Sequence, residues 1–273
     1  MRPKSKEAEK LKSYKKLVTI GAVIGLITLS LVGCSSSKPT ASSNETNKAT
    51  KVSVAVINDY PPFEFKQDGK LTGYDIELVQ AIAKKENFEV DWKEMKFDGI
   101  IPGLQAKQLD AAISAITIRD DRKQVVDFTT PYFNSGLSLI VKKDSPIKTL
   151  EDLKGKTIVA KQGTTGLEKA KELAAKYGAK TKILQDDTAL YLDVETGNSD
   201  ATINDFPGAA YKLKIEGTQS KLRILGDKLT GEDYGIAIAK GNKALLNRFN
   251  DGLKKLQDSG EFKQLFDKYF GSN

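Results

Sequence analysis

A chain of 273 residues with 43 Lys+Arg against 36 Asp+Glu carries a formal net charge of +7, a single cysteine and no histidine. The missing histidines remove Ser-His-Asp and Cys-His nucleophilic catalysis and the commonest zinc ligand. The lone cysteine removes any intrachain disulfide, so stability must come from a packed core.

The excess charge sits at one end. Met1 to Lys16 holds seven Lys/Arg against Glu7 and Glu9, and the apolar run Leu17 to Val32 that follows is short for a membrane span and diluted by Gly21, Gly25, Thr28 and Ser30. It ends in Leu31-Val32-Gly33-Cys34, directly before Ser35-Ser36-Ser37. This pattern resembles a bacterial lipoprotein signal, cleaved after residue 33 so that Cys34 receives the lipid. A retained transmembrane anchor and a buried structural cysteine are the competing readings. Loss of residues 1–33 removes seven cations and two glutamates, so the net charge falls from +7 to +2 and nucleic acid is not implied as a partner. Residues 34–50, with no apolar side chain larger than alanine after Cys34, read as a flexible tether. Such a tether places the folded part roughly 20–25 Å from its lipid.

The folded part opens with Val52, Val54 and Val56 in alternation, a strand that Tyr60-Pro61-Pro62 stops. Asp75 is positioned to cap a helix with the stripe Ile76, Val79, Ile82 and Ala83. Strands follow at Glu89 to Met95 and Asp110 to Ala115, separated by a short helix from Ile100 to Lys107, and Leu137 to Val141 reads as a fully buried strand. A second series begins near Thr149. It comprises strands at Thr157 to Ala160, Lys182 to Leu184 and Ala201 to Ile203, and helices at Gly166 to Tyr177, Tyr191 to Thr196 and Phe206 to Leu213. Tyr234 to Ala239 is a further strand, and amphipathic helices at Lys243 to Gln257 and Phe262 to Tyr269 close the chain. Alternating strands and helices imply an α/β protein with largely parallel sheet, and two series imply two lobes.

Four segments resemble the polar amino-acid-binding proteins of bacterial ABC uptake systems, solute-binding family 3: Tyr60-Pro61-Pro62-Phe63-Glu64-Phe65, Gly73-Tyr74-Asp75-Ile76-Glu77-Leu78, Phe97-Asp98-Gly99-Ile100-Ile101-Pro102-Gly103-Leu104, and Thr117-Ile118-Arg119-Asp120-Asp121-Arg122-Lys123. Leu153 to Lys156, Gly163 to Gly166 and Asp200 to Asp205 agree, in the family's order. The resemblance implies a type II periplasmic-binding-protein fold with the ligand cleft between two lobes. Lobe one is then discontinuous, residues 51–136 plus 232–273, and lobe two is 137–231.

An α-amino acid brings a carboxylate and an ammonium into the site, and each needs a partner once it leaves water. By resemblance, Arg122 grips the carboxylate, as a planar guanidinium can, with Thr117, Thr164 and Thr165 adding donors. A surface arginine paired with Asp120 or Asp121, and a threonine that only caps its helix, are the plain alternatives. Asp205 matches the ammonium-binding carboxylate, with the carbonyl of Ala115 as a further acceptor; Asp205 alone reads equally as an N-cap ahead of Pro207. Tyr60 and Phe97 match the aromatic pair that sandwiches the side chain. Lys161 and Asn204, with the Ile57-Asn58-Asp59 corner, match the positions that choose the side chain. A lysine there donates to a carbonyl and repels cationic side chains, which points to glutamine first, unless Lys161 is simply a solvated strand end. Departures from the glutamine-type pattern are Ile57 for aspartate, Asn204 for histidine, and Ala115 and Thr165 for glycines.

The implied function is a monomeric, exported receptor held by lipid on the outer face of the cytoplasmic membrane. It hands a polar amino acid to a permease and its ATPase, with no cofactor, no metal and no catalysis. A dehydratase-like enzyme and a ligand sensor for a signalling receptor are the alternatives. Gly163-Thr164-Thr165-Gly166 lacks the lysine-serine ending of a nucleotide-binding loop.

Overall fold

The computed structural model describes residues 50–271. Cys34 and the segments expected to form a leader and a tether, apart from Thr50, lie outside the described residues.

In chain order, β1 (Thr50–Val56) is followed by three short strands, β2 (Asp59–Tyr60), β3 (Glu64–Gln67) and β4 (Lys70–Thr72), then α1 (Tyr74–Glu86), β5 (Phe88–Glu94), α2 (Phe97–Gln105), β6 (Ala111–Ala112), α3 (Asp120–Val125) and β7 (Val126–Phe128). β8 (Phe133–Ser135) leads to β9 (Leu137–Lys142), β10 (Thr157–Lys161), α4 (Thr165–Tyr177), β11 (Lys180–Leu184), α5 (Asp187–Glu195), β12 (Ala201–Asp205), α6 (Phe206–Glu216) and β13 (Leu222–Leu225). β14 (Glu232–Tyr234), β15 (Ala237–Ala239), α7 (Lys243–Asp258) and α8 (Glu261–Phe270) complete the chain.

Two five-stranded sheets result, ordered β5-β1-β6-β15-β7 and β11-β10-β12-β9-β13. They share one plan: three parallel strands, then one antiparallel to both its neighbours. The antiparallel strand is in each case the first laid down after the chain crosses between sheets, β9 after β8 and β15 after β14. Those two crossings pair with each other, Phe133 opposite Tyr234 and Ser135 opposite Glu232. The sheets are therefore mixed, and β9 is antiparallel although its nearly all-apolar run Leu137 to Val141 matches a parallel strand. This is a two-lobe α/β fold with helices flanking each sheet.

Each lobe has its own core. Val52, Val54, Leu78, Ile82, Leu104, Ile113, Ile238 and Phe249 are among the buried residues of the first, and Leu139, Val141, Ile158, Leu167 and Ile203 of the second. The aromatic faces of α8, Phe266 and Phe270, pack on Phe133, and Phe270 also meets Phe63 and Tyr74. This cluster returns the C-terminal helices to the first sheet, against the root of a crossing.

Two local readings change. Asp75 does not cap α1: Gly73 holds that position, because a Cβ there would stand 2.2 Å from the carbonyl oxygen of Phe63. Asp75 is instead fully buried in the first turn and accepts from Ala115 N–H and Tyr132 O–H, both at 2.9 Å. The strand expected to reach Ala115 ends at Ala112, and Ala115 adopts a left-handed backbone with φ 47°. The Asp75 bond to its N–H holds that turn in place.

Candidate functional site

The site grows from the carboxyl ends of the parallel strands, the place where an α/β sheet offers side chains to a crevice. β1 delivers Ile57, β6 leads into Ser114, Ala115 and Thr117, β10 ends on Lys161, and β12 ends on Asn204 and Asp205. β2 brings Tyr60, the start of α2 brings Phe97, α3 brings Arg122, and the start of α4 brings Thr164 and Thr165. All ten side chains singled out from the sequence line one narrow cavity, together with Ile57 and Ser114. Ser114 accepts from Ile57 N–H at 2.9 Å and so ties two strand ends into the floor.

Arg122 is buried, yet no carboxylate among the described residues lies in ion-pair reach of it. Asp121 pairs with Arg119 instead, at 2.5 Å, and Asp120 with Lys123. The Arg122 guanidinium donates to the carbonyls of Thr117 (2.8 Å) and Gly163 (3.0 Å), its Cζ 5.6 Å from the centre of the Phe97 ring. Burial, with Arg119 nearby, lowers its pKa to about 10, so it remains fully charged at neutral pH.

Asp205 is the opposite case. Its Oδ1 is shielded from solvent and has no hydrogen-bond partner among the described residues. It occupies the N-cap position of α6 but makes no side-chain cap bond, so the capping role is not exercised. Burial, reinforced by the Glu232 charge and opposed by a hydrogen bond from Tyr234, raises its pKa to about 7. A carboxylate so placed gains from any cation brought to it.

Thr164 is the true cap of α4, accepting from Leu167 N–H at 3.1 Å, and this leaves the first N–H groups of the helix for an anion. The hydroxyls of Thr117 and Thr165, expected to serve a ligand carboxylate, both donate to Glu232, at 2.6 and 3.0 Å. Each has only one proton to give.

Lys161 is no solvated strand end. It is buried and ion-paired with buried Asp187, and its ammonium lies 5.4 Å from the Tyr60 ring centre and 5.3 Å from that of Phe97, between the two aromatic faces. Burial alone would lower its pKa, but Asp187 and Asp59 outweigh that and raise it. Its charge is therefore largely compensated, which weakens the repulsion of cationic side chains that a bare lysine would exert. Asn204 is committed too: it donates to Asp187 (2.8 Å) and Tyr191 (3.1 Å) and accepts from Asp205 N–H (2.9 Å), so it positions the acids around it.

Sequence reasoning missed Ser114, Asp187, Tyr191 and Glu232. Asp186 and Asp187 lie at the start of α5, where acidic residues ordinarily serve as caps, and Asp186 does cap it, accepting from Ala189 N–H at 2.9 Å. Nothing in local spacing marks its neighbour as the partner of Lys161. Among the described residues there is no group of three or more potential metal ligands, and no helix long and apolar enough to cross a membrane.

The chain matches the model for bacterial extracellular solute-binding proteins, family 3, over residues 52–272. It is 35% identical over 266 residues to the L-cystine-binding protein TcyJ of Escherichia coli (strain K12), covering 94% of this chain and 98% of that protein. Among solved structures it is similar to an ancestral arginine-binding protein bound to arginine, with a TM-score of 0.77 and 38% identity over 81% of this chain and 98% of that one. The glutamine-bound form of an ancestral arginine-binding protein is similar to the same degree, with a TM-score of 0.76 and 38% identity over the same shares. A match that runs from the first core strand to the last helix means that the chain belongs to family 3 of the bacterial extracellular solute-binding proteins.

Proposed function

We propose that this protein captures a polar L-amino acid, glutamine first, in the cavity between its lobes and delivers it to the permease and ATPase of an ABC importer. The observation that carries the reading is a pair of mismatched charges on one cavity: a buried guanidinium with no acid partner and a shielded carboxylate with no cation partner, among the described residues. A zwitterion supplies both missing charges at once, its carboxylate on Arg122 and the α4 N–H groups, its ammonium on Asp205 and the Ala115 carbonyl. The protein binds and releases; it does not turn its ligand over. Cys34 carries the lipid that holds it on the outer face of the cytoplasmic membrane, and it acts as a monomer.

Glutamine is favoured because the Lys161 ammonium has three donors and gives one to Asp187, which leaves others for a side-chain carbonyl between Tyr60 and Phe97. A longer or cationic side chain is the second reading, favoured by the Asp59 and Asp187 carboxylates beside Lys161 and by relatives named for arginine and cystine.

The test is a thermal-shift screen of the common amino acids and cystine on residues 35–273, since a ligand that binds only the folded state raises its melting temperature. Glutamine giving the largest shift supports the reading. A shift with arginine or lysine alone overturns the role given to Lys161, and no shift with any amino acid overturns the function. For the anchor, the Cys34→Ser variant should move the exported protein from the membrane to the soluble fraction; retention in the membrane contradicts lipidation.

A further inference from the structure

One oxygen ties the two lobes together. Oε2 of Glu232 accepts from Thr117, which follows β6 in the first lobe, and from Thr165, which opens α4 in the second. Oε1 of the same carboxylate accepts from Thr230 at 3.1 Å, which fixes its rotamer. Glu232 begins β14, the returning crossing, so it sits where the lobes pivot. It is absent from the lining of the ligand cavity and lies on the outer side of the two threonines, in a separate basin shared with Arg119, Lys123 and Lys240.

We infer that Glu232 is a closure latch, which holds the lobes shut through Thr117 and Thr165 and so sets how long a ligand stays bound. The two threonines belong to different lobes, so at least one bond must break when the lobes part, whichever lobe Glu232 follows. A contact made only in the closed form shifts the population toward it. A larger closed fraction tightens apparent affinity by the same factor. The two threonines line the cavity but spend their hydroxyl protons on Glu232, so the ligand carboxylate is left to Arg122 and backbone N–H groups. The charge on the acceptor makes these hydrogen bonds stronger than neutral ones.

The inference rests on the proposed capture of an amino acid between the lobes, which must part to admit it, and its test reads the unliganded protein separately. Fluorophores are placed one on each lobe, at K70C and K180C in a C34S background, and single-molecule distances are recorded without ligand and with the amino acid that gives the largest thermal shift. Glu232→Ala should lower the closed fraction without ligand and weaken binding about tenfold, chiefly through faster release, the equivalent of one charge-assisted hydrogen bond. Glu232→Gln keeps an oxygen that can accept from both hydroxyls and should stay within about threefold of wild type. Thr165→Val should reproduce Glu232→Ala, and the double variant should add nothing further. An unchanged unliganded distance distribution in Glu232→Ala, or effects that add in the double variant, overturns the latch. If no amino acid binds the wild type, the proposed function fails while the unliganded distances still decide the latch.

Discussion

Asp205→Asn isolates the half of the site proposed to receive the ligand's ammonium. In the unliganded protein this carboxyl titrates near 7, against an ordinary value of 3.8, chiefly because burial disfavours its charge. At 1.36 kcal/mol per pKa unit the difference is about 4 kcal/mol, the scale of the penalty on the ionised form that an ammonium at Oδ1 can offset. Removing the carboxylate strands that ammonium, at a cost of about 3–5 kcal/mol. Affinity should fall at least about a hundredfold. The pH dependence is more specific: below pH 7 the ligand must displace a proton, so wild-type binding should weaken about 25-fold between pH 7.5 and 5.5. Calorimetry at pH 6 in buffers of different ionisation enthalpy should find about 0.9 proton released per ligand. The stability sign follows from the same shift. A carboxyl with a raised folded pKa favours folding while it is protonated, and that favour is lost as pH rises from 3.8 through about 7. Unliganded Asp205→Asn should therefore lose less stability than wild type between pH 5 and pH 8. Asp75, raised to about 6 mainly by burial, adds a titration that both proteins share, since its acceptor oxygen stays bonded to Ala115 and Tyr132. Binding of Asp205→Asn within threefold of wild type, or no proton release by wild type at pH 6, would refute the assignment.

Three further substitutions probe the neighbours of that carboxyl. Arg122→Lys keeps a positive charge but loses the fork that can hold two oxygens at once, and calorimetry should show binding at least about tenfold weaker. Lys161→Met leaves buried Asp187 and half-buried Asp59 without their cation, so urea titration should show a loss of about 3–5 kcal/mol; a loss below about 0.5 kcal/mol would mean an exposed lysine after all. Ala115→Gly relieves a left-handed alanine and should stabilise the protein by about 0.5–1 kcal/mol, a rise of roughly 1–4 °C by calorimetric melting, with ligand affinity little changed.

The regular elements were legible because their signals are local. Valines in alternation gave β1, and the amphipathic stripe of Lys243 to Gln257 gave α7, which the structure extends to Asp258. The brief strands β2, β6, β7 and β8 have only two or three residues each, too few for any period to register. Their existence depends on partners far along the chain, as Phe133 depends on Tyr234. The direction of β9 was hidden for a related reason: a strand covered on both faces reads as continuously apolar whichever way it runs. The ten side chains proposed for the site came from a family pattern and meet on one cavity, but their partners did not come with them. Asp187 lies 26 residues from Lys161, and Glu232 lies 115 from Thr117. Only the crossing between lobes brings Glu232 to both threonines. Burial was the other hidden quantity, and it decides that Asp205 is starved of a partner while Lys161 is not.

The central claim is that a zwitterion is held by both its charged ends, and it is tested most directly by titrating the preferred amino acid beside two derivatives of it. N-acetylation removes the ammonium that Asp205 would hold, and amidation removes the carboxylate that Arg122 would hold. Both derivatives should bind at least about a hundredfold more weakly than the parent, and the amide should lose no further affinity when Arg122 is replaced by alanine. Either derivative binding as tightly as the parent would contradict the account.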